Sequence, residues 1–190
     1  MRSRRTTPAV LVVILLLLLP TAAGAVSNDP RLASLTITNT RDHLLLYTEL
    51  EGAFVEKVET AVQSGVETTI SYYIDIFEQK RFWFDKRIAS IRAEHRVKFD
   101  AMKKVYTITR SWAEPESLTT ESYTEAKQVM SRLEGVRAAA LTDLTRGEAY
   151  QIRARARLEE FTLPVYLKFI GLFADLDAFE TDWRRAAFVY

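Results

Sequence analysis

Apolar and polar residues alternate along much of the chain, and this alternation predicts β-strands. Segment 69–77 places its apolar residues on one face, and the same period of two recurs in 91–100 and 149–160. One-sided alternation is typical of an antiparallel sheet with one buried and one solvent-facing side. The buried face of the first segment comprises Ile70, Tyr72, Ile74 and Ile76. Further strands are predicted at 32–38, 44–50, 103–110 and 136–144, with an edge strand at 179–190.

Two segments instead repeat apolar residues at the spacing of an α-helix. The first helix is predicted to stop at Gly65, and the second to begin at a capping box of Ser122 and Glu125 and to end at Gly135. The predicted buried faces are Phe54, Val55, Val58, Ala61 and Val62, then Tyr123, Ala126, Val129, Met130 and Leu133. The apolar segment 163–176 predicts a third short helix, and 111–120, interrupted by Pro115, predicts a loop.

These elements predict an α+β fold, mainly antiparallel β in a sandwich-like sheet or sheets, with two or three short helices. Seven to nine strands are expected. The sequence contains no internal repeat, low-complexity tract or interdomain linker, so one domain is predicted to span residues 26–190.

Residues 1–25 have the pattern of a signal peptide. Arg2, Arg4 and Arg5 precede an apolar run at 9–19, and the small residues 23–25 predict cleavage after Ala25. Eleven helical residues would extend about 16 Å, roughly half the hydrocarbon core of a bilayer. We therefore expect export to the periplasm. The alternative is an uncleaved anchor in the inner membrane.

Charge and cysteine content narrow the functional classes. Three of the 26 basic residues and none of the 25 acidic residues lie in 1–25, so the mature chain has 23 basic and 25 acidic residues, a formal charge of −2. This balance argues against a nucleic-acid partner, because phosphate neutralisation requires surplus Lys and Arg. The chain has no cysteine, which excludes disulfides, thiol catalysis and thiolate metal sites.

No catalytic motif is present in the sequence. His43 and His95 are 52 positions apart, no HExxH or GxSxG occurs, and the six glycines are scattered singly. His95 lies on the apolar face of its strand and is expected to be a hydrogen-bonded core residue, with His43 a solvated hairpin residue. A pair such as Asp75 and Glu94 could flank a glycosidic bond, but nothing marks a cleft. We predict a non-enzyme without cofactor or metal.

Several stretches resemble an exported bacterial family of unknown function, the DUF4390 family. The resemblance covers about 33–185 and rests on the opening LTITN, on AVQSGVETTISYYIDI, on RFWF followed by DKRIA, on YQIRARARLEEFTLP and on Asp182-Trp183. After Leu163-Pro164 the chain reads VYLKF, without the family's usual second proline. The resemblance implies an envelope location and proximity to membrane signalling systems, and implies no activity, cofactor or catalytic residue.

The stretch QKRFWFDKR at 79–87 has two interpretations. If the preceding strand continues, Phe82 and Phe84 join its buried face and Trp83 the other, beneath a second layer. Alternatively, Trp83 projects from a hairpin tip and binds a membrane interface or a protein. The flanking basic residues of this candidate surface are Lys80, Arg81, Lys86 and Arg87.

A row of arginines on the 149–160 strand is the second candidate surface. Arg153, Arg155 and Arg157 would lie about 6.6 Å apart on one face. They form either a solvent-facing stripe paired with carboxylates on a neighbouring strand, for example Glu94 or Asp100, or a site for anionic headgroups or an acidic protein.

We expect a non-catalytic envelope module that binds an unknown envelope protein or the membrane surface. The alternative is a carrier of lipid or small apolar ligands, in which the sheet and 163–176 enclose a cavity. A hydrolase is the third hypothesis. The sequence predicts no particular oligomeric state.

Overall fold

The predicted alternation is realised as long antiparallel strands. The computed structural model describes residues 29–159 and 178–190, and these contain ten strands, two α-helices and one 3₁₀ turn. The strands are β1 (Arg31–Leu32), β2 (Thr36–Asn39), β3 (His43–Glu51), β4 (Thr68–Glu78), β5 (Lys86–Asp100), β6 (Val105–Arg110), β7 (Ser117–Thr120), β8 (Arg132–Ala140), β9 (Ala149–Leu158) and β10 (Arg184–Val189). The helices are α1 (Glu56–Gln63) and α2 (Tyr123–Ser131), and the 3₁₀ turn is Leu141–Asp143.

The strands form two antiparallel sheets that share one hydrophobic core. The larger sheet has the order β10-β9-β4-β5-β6-β7, and in the smaller sheet β3 pairs with β1, β2 and β8. The α+β class with mainly antiparallel strands is therefore confirmed. Ten strands exceed the expected seven to nine, because the predicted 32–38 strand is divided into β1 and β2 and because β7 was not predicted.

Strand β4 lies at the centre of the larger sheet and carries much of the core. Its four predicted inward residues, Ile70 to Ile76, are fully buried, as the alternation predicted. Since β5 and β9 cover its two edges, even its outer-face residues Ser71 and Asp75 are buried. The predicted edge strand is also confirmed, because β10 pairs only with β9 in this sheet.

The first helix and its stop agree largely with the prediction. Val58, Ala61 and Val62 are buried on α1, and Gly65 follows it with a φ of +80°, a conformation that favours glycine. Val55 was placed on the buried face, and this was wrong. It is the N-cap residue and is 44 % exposed, because the chain has not yet entered the helix there.

The second helix ends four residues earlier than predicted. Its start is confirmed, since the Glu125 N–H donates to Ser122 Oγ at 3.3 Å. The helix stops at Ser131, and Gly135 lies instead within β8, at a register irregularity opposite Tyr47. Its φ of +68° is that of a bulge glycine. The residues of β8 form a strand because they pair with the backbone of β3, although the sequence pattern predicts a helix there.

One predicted loop contains a strand. β7 pairs with β6 at the edge of the larger sheet, inside the segment 111–120. Four residues beside Pro115 are too short a run to show a period of two, so only the pairing identifies it. The predicted helix at 163–176 lies outside the described residues.

His95 is buried as predicted, but its predicted hydrogen bond is not found. Neither ring nitrogen has a hydrogen-bond partner among the described residues, because aromatic rings surround the imidazole. Tyr72 meets it edge-on at 5.8 Å between centroids, and Trp112 lies at 4.7 Å. Burial, reinforced by the Arg110 guanidinium and opposed by the Met130 carbonyl, lowers the pKa of His95 to about 3.

We therefore predict that His95 makes folding sensitive to acid. Its folded-state pKa lies below the ordinary 6.5, so protonation favours the unfolded chain. Its contribution is complete above pH 6.5 and is lost as the pH falls towards 3, on the order of 3 kcal/mol between pH 6.5 and 4. Denaturant unfolding of the wild type and of His95→Leu at several pH values should show a shallower loss of stability in the variant. If the free energy of unfolding falls equally steeply with pH in the two proteins, His95 does not cause the acid sensitivity.

Candidate interaction surface

The stretch 79–85, here called the aromatic loop, leaves the sheet between β4 and β5. Glu78 and Lys86 are the last paired residues of the hairpin, so within the described residues the loop is not part of the sheet. Two hydrogen bonds fix its base. The Gln79 N–H donates to the Ala149 carbonyl at 2.8 Å, and the Lys80 N–H donates to Asp85 Oδ1 at 3.2 Å. The loop therefore projects from a firmly held base.

The three aromatic side chains of the loop face solvent. Phe82 is 86 % exposed, Trp83 84 % and Phe84 97 %. The interpretation that they continue the faces of β4 beneath a second layer is wrong, because the strand ends at Glu78 before reaching them. Trp83 lies at the hairpin tip, as the alternative interpretation predicted. Burying each ring would be favourable by about 1.5–3 kcal/mol, so this exposure is unusual.

The cations around the aromatic loop fall into two groups. Lys80 forms an ion pair with the nearly buried Glu78, and this hydrogen bond raises the pKa of the Lys80 ammonium. Arg81, Lys86 and Arg87 are exposed and form no ion pair with any described residue. Exposed rings thus lie next to three cations that have no ion-pair partner in the described part of the chain.

The end of β10 lies at the same end of the larger sheet as the aromatic loop. Val189, which is 71 % exposed, pairs with Ala149, the residue whose carbonyl holds the loop base. The next residue, Tyr190, accepts the Gly147 N–H at 2.6 Å and borders a shallow open groove. The groove is lined by Asn39, Thr40, Arg41, Leu141, Arg146 and Tyr190, with no acidic side chain among them.

Sequence reasoning did not identify Arg41, Arg146 or Val189. Arg41 lies in the β2–β3 turn, where the Asp42 carbonyl accepts the Leu141 N–H at 2.8 Å. Their positions depend on pairings between distant segments, about 100 residues apart for Asp42 and Leu141 and about 40 apart for Ala149 and Val189. The signal that could have suggested Val189 is its place near the end of the segment 179–190, which the sequence predicts to be an edge strand.

The arginine row lies on the outer face of the larger sheet, and its members are half-buried and ion-paired. Arg153 donates from Nε and Nη2 to Asp75 Oδ2 at 3.1 and 2.9 Å. Arg155 pairs with Glu180, and Arg157 lies 4.0 Å from Glu159. These contacts favour the interpretation of a charge-paired stripe over that of an open anion site.

The arginines pair with carboxylates, as predicted. Glu94 and Asp100, the carboxylates named as examples, are not their partners. Glu94 pairs with Arg92 at 2.9 Å and Arg96 at 3.7 Å, both on its own strand. Asp100 accepts two backbone N–H groups of the β5–β6 turn. Glu94 and Asp100 lie on β5 and the arginine row lies on β9. These two strands are not neighbours, because β4 lies between them.

Aromatic rings stack against two of the arginines. The Arg153 guanidinium lies 4.5 Å from the ring centroids of both Phe77 and Trp183. Arg155 lies 4.7 Å from Trp183 and 5.2 Å from Tyr73. Trp183 thus sits between the two guanidiniums and holds the start of β10 against the sheet. The arrangement stabilises the fold and leaves these arginines little capacity for a ligand.

The described residues offer little for metal or acid–base chemistry. They contain no group of three or more His, Asp or Glu side chains that could hold a metal ion. Asp75 lies opposite Ser90 and Glu94 opposite Ser71, which separates the two carboxylates by about 13 Å along the strands. That distance exceeds the roughly 9.5 Å limit for paired glycosidase carboxylates, and arginines pair with both.

Within 29–159 and 178–190, no helix has the length and apolar character needed to cross a bilayer.

We predict that Trp183→Ala destabilises the fold by about 1–3 kcal/mol, because it removes one stacking partner from each of two guanidiniums. Thermal or denaturant unfolding measures this loss. The exposed Arg185 on the same edge strand gives the matched control, and Arg185→Ala should change stability by less than about 0.5 kcal/mol. Equal effects of the two substitutions would show that the stack contributes nothing.

Comparison with known proteins gives one match. A family model described as a domain of unknown function, DUF4390, matches residues 27–187. No curated protein and no solved structure matches the chain. This match covers nearly the whole chain and confirms the resemblance seen in the sequence. The chain belongs to the DUF4390 family.

Proposed function

We propose that this protein is a non-catalytic interaction module of the cell envelope and that it docks through the aromatic loop. The observation that supports the proposal best is the exposure of three consecutive aromatic side chains, each at least 84 %, on a loop whose base is fixed by hydrogen bonds. Contiguous exposed apolar patches mark sites of interaction with proteins or membranes.

The energetics support the same proposal. Covering all three rings would supply about 5–9 kcal/mol of gross binding free energy, before the costs of association. Trp and Arg are enriched among the residues that dominate protein interfaces, and here Trp83 directly follows Arg81 and Phe82. Because the loop is held at its base, less conformational entropy would be lost on binding than for a free segment.

The location follows from the leader. Residues 1–25 carry the signal-peptide pattern, and we propose a periplasmic protein whose leader is removed, or one that keeps the leader as an inner-membrane anchor. Either form places the aromatic loop within reach of the membrane and of envelope proteins. The loop, and not the arginine row, is the proposed contact surface, because the row is already ion-paired.

The alternative of a carrier for apolar ligands has less support. A cavity of about 250 Å³ is lined by Arg110, Glu125, Arg132 and Glu134 among others. A groove of about 540 Å³ is lined by Glu67, Arg96, Lys98 and Asp100 together with Phe99 and Met102. Both are lined by several charged side chains, whereas sites for apolar ligands are lined mainly by apolar residues.

We predict that Trp83→Ala separates binding from stability. The side chain contacts almost nothing, so the free energy of unfolding should change by less than about 0.5 kcal/mol. Crosslinking in native envelopes, followed by mass spectrometry, should lose the crosslinks formed by residues of the aromatic loop.

Met102→Ala provides the matched control, because Met102 is 97 % exposed in the β5–β6 turn at the opposite end of β5. The Met102→Ala variant should have the stability of the wild type and should form the same crosslinks through the aromatic loop. A large destabilisation by Trp83→Ala would assign Trp83 to the fold. Unchanged crosslinks with unchanged stability would remove the loop from the interaction.

A further inference from the structure

We propose that the partner of the aromatic loop is the surface of an anionic phospholipid bilayer, into which the loop inserts to the depth of the headgroups. This inference rests on the proposed function and makes its partner specific. Four observations support it: the exposure of all three rings, the arrangement of charges around them, the second basic surface at the same end, and the different character of the opposite end.

The three rings are adjacent in sequence, yet each is exposed. Phe82, Trp83 and Phe84 are each at least 84 % exposed, so all three rings are accessible to a partner. A protein partner would need a pocket large enough to take up all three. A bilayer interface surrounds an inserted loop without any requirement of shape, and tryptophan favours that interface.

The charges of the loop suit anionic headgroups. Residues 78–87 hold four basic and two acidic residues, a formal charge of +2. Both acidic side chains are engaged at the base, Glu78 by Lys80 and Asp85 by the Lys80 N–H. The three cations without a described carboxylate partner, Arg81, Lys86 and Arg87, have long stems that can reach headgroups while the rings lie deeper.

The same end of the molecule offers a second basic contact. Arg41 and Arg146 line the groove beside Tyr190, whose lining among the described residues includes no acidic side chain, and Val189 adds an exposed apolar residue next to the loop base. A bilayer that receives the loop would therefore also meet these groups. A small protein partner gripping only the loop would not need them.

The opposite end of β5 has a different character. The β5–β6 turn carries one large exposed apolar residue, Met102, beside Lys103 and Lys104, and no aromatic ring. Asp100 accepts the N–H groups of Met102 and Lys103 at 3.0 Å and lies among these cations. This turn has cations similar in number to those of the loop without its rings, and it is the matched control.

The absence of cysteine allows each end to be probed separately. Full-length chains carrying Phe84→Cys or Met102→Cys are labelled with an environment-sensitive fluorophore and mixed with vesicles of phosphatidylglycerol and phosphatidylethanolamine, or of phosphatidylcholine alone. Lipids brominated on the acyl chain quench a label that lies about 5–10 Å into the interface. Because the readout is local, it distinguishes loop insertion from membrane attachment by residues 1–25.

The label at 84 should shift to the blue and be quenched on phosphatidylglycerol vesicles, and the label at 102 should not. Replacing Arg81, Lys86 and Arg87 by Gln should lower the equilibrium constant for loop insertion roughly a hundredfold, since each cation near an anionic surface contributes about fivefold. Raising the salt concentration should act in the same direction.

A label at 84 that stays in water on anionic vesicles overturns the inference, as does equal insertion of the label at 102 or equal insertion into phosphatidylcholine. If the label stays in water while loop-dependent crosslinks lead to an envelope protein, the bilayer inference fails and the proposed function stands. If neither insertion nor crosslinking depends on the loop, both fail.

Discussion

The pairing of β4 with β5 on one edge and β9 on the other is the constraint on which the rest of the structure depends. It buries the inner face of β4 completely and joins the arginine strand to the centre of the larger sheet. The same pairing ends at Glu78 and Lys86. Among the described residues no strand continues the sheet beyond that point, and the aromatic side chains 82–84 face solvent. This exposure is the reason for proposing the loop as a surface for partners.

Two aromatic–cationic clusters follow from this pairing, and they differ in one physical respect. On the sheet face, Trp183 stacks on Arg153 and Arg155, and each arginine also has a carboxylate partner. In the aromatic loop, the rings are exposed, and Arg81, Lys86 and Arg87 in and beside it form no ion pair with any described residue. Only the second cluster retains interactions that a partner could satisfy. Membership in the DUF4390 family adds no activity to this account.

Features set by local sequence were predictable, and features set by distant pairing were not. The period of two identified the buried face of β4, and the capping box placed the start of α2. Gly135 looked like a helix stop, but its partner strand makes it a bulge residue in β8. Similarly, the sequence could identify Glu94 as a carboxylate that pairs with arginines. Which arginines it contacts depends on the order of the strands in the sheet. For Trp83 the sequence left both interpretations open, because exposure depends on where the hairpin closes.

Docking through the aromatic loop, as proposed, requires the loop to be covered in the envelope and bare in the isolated protein. Reaction of a Trp83→Cys variant with a hydrophilic maleimide tests it most directly, since the chain has no other cysteine. The account predicts fast labelling of the purified protein and strong protection in intact envelopes, with Met102→Cys reacting at similar rates in both. Equal labelling of position 83 in the two settings would contradict it.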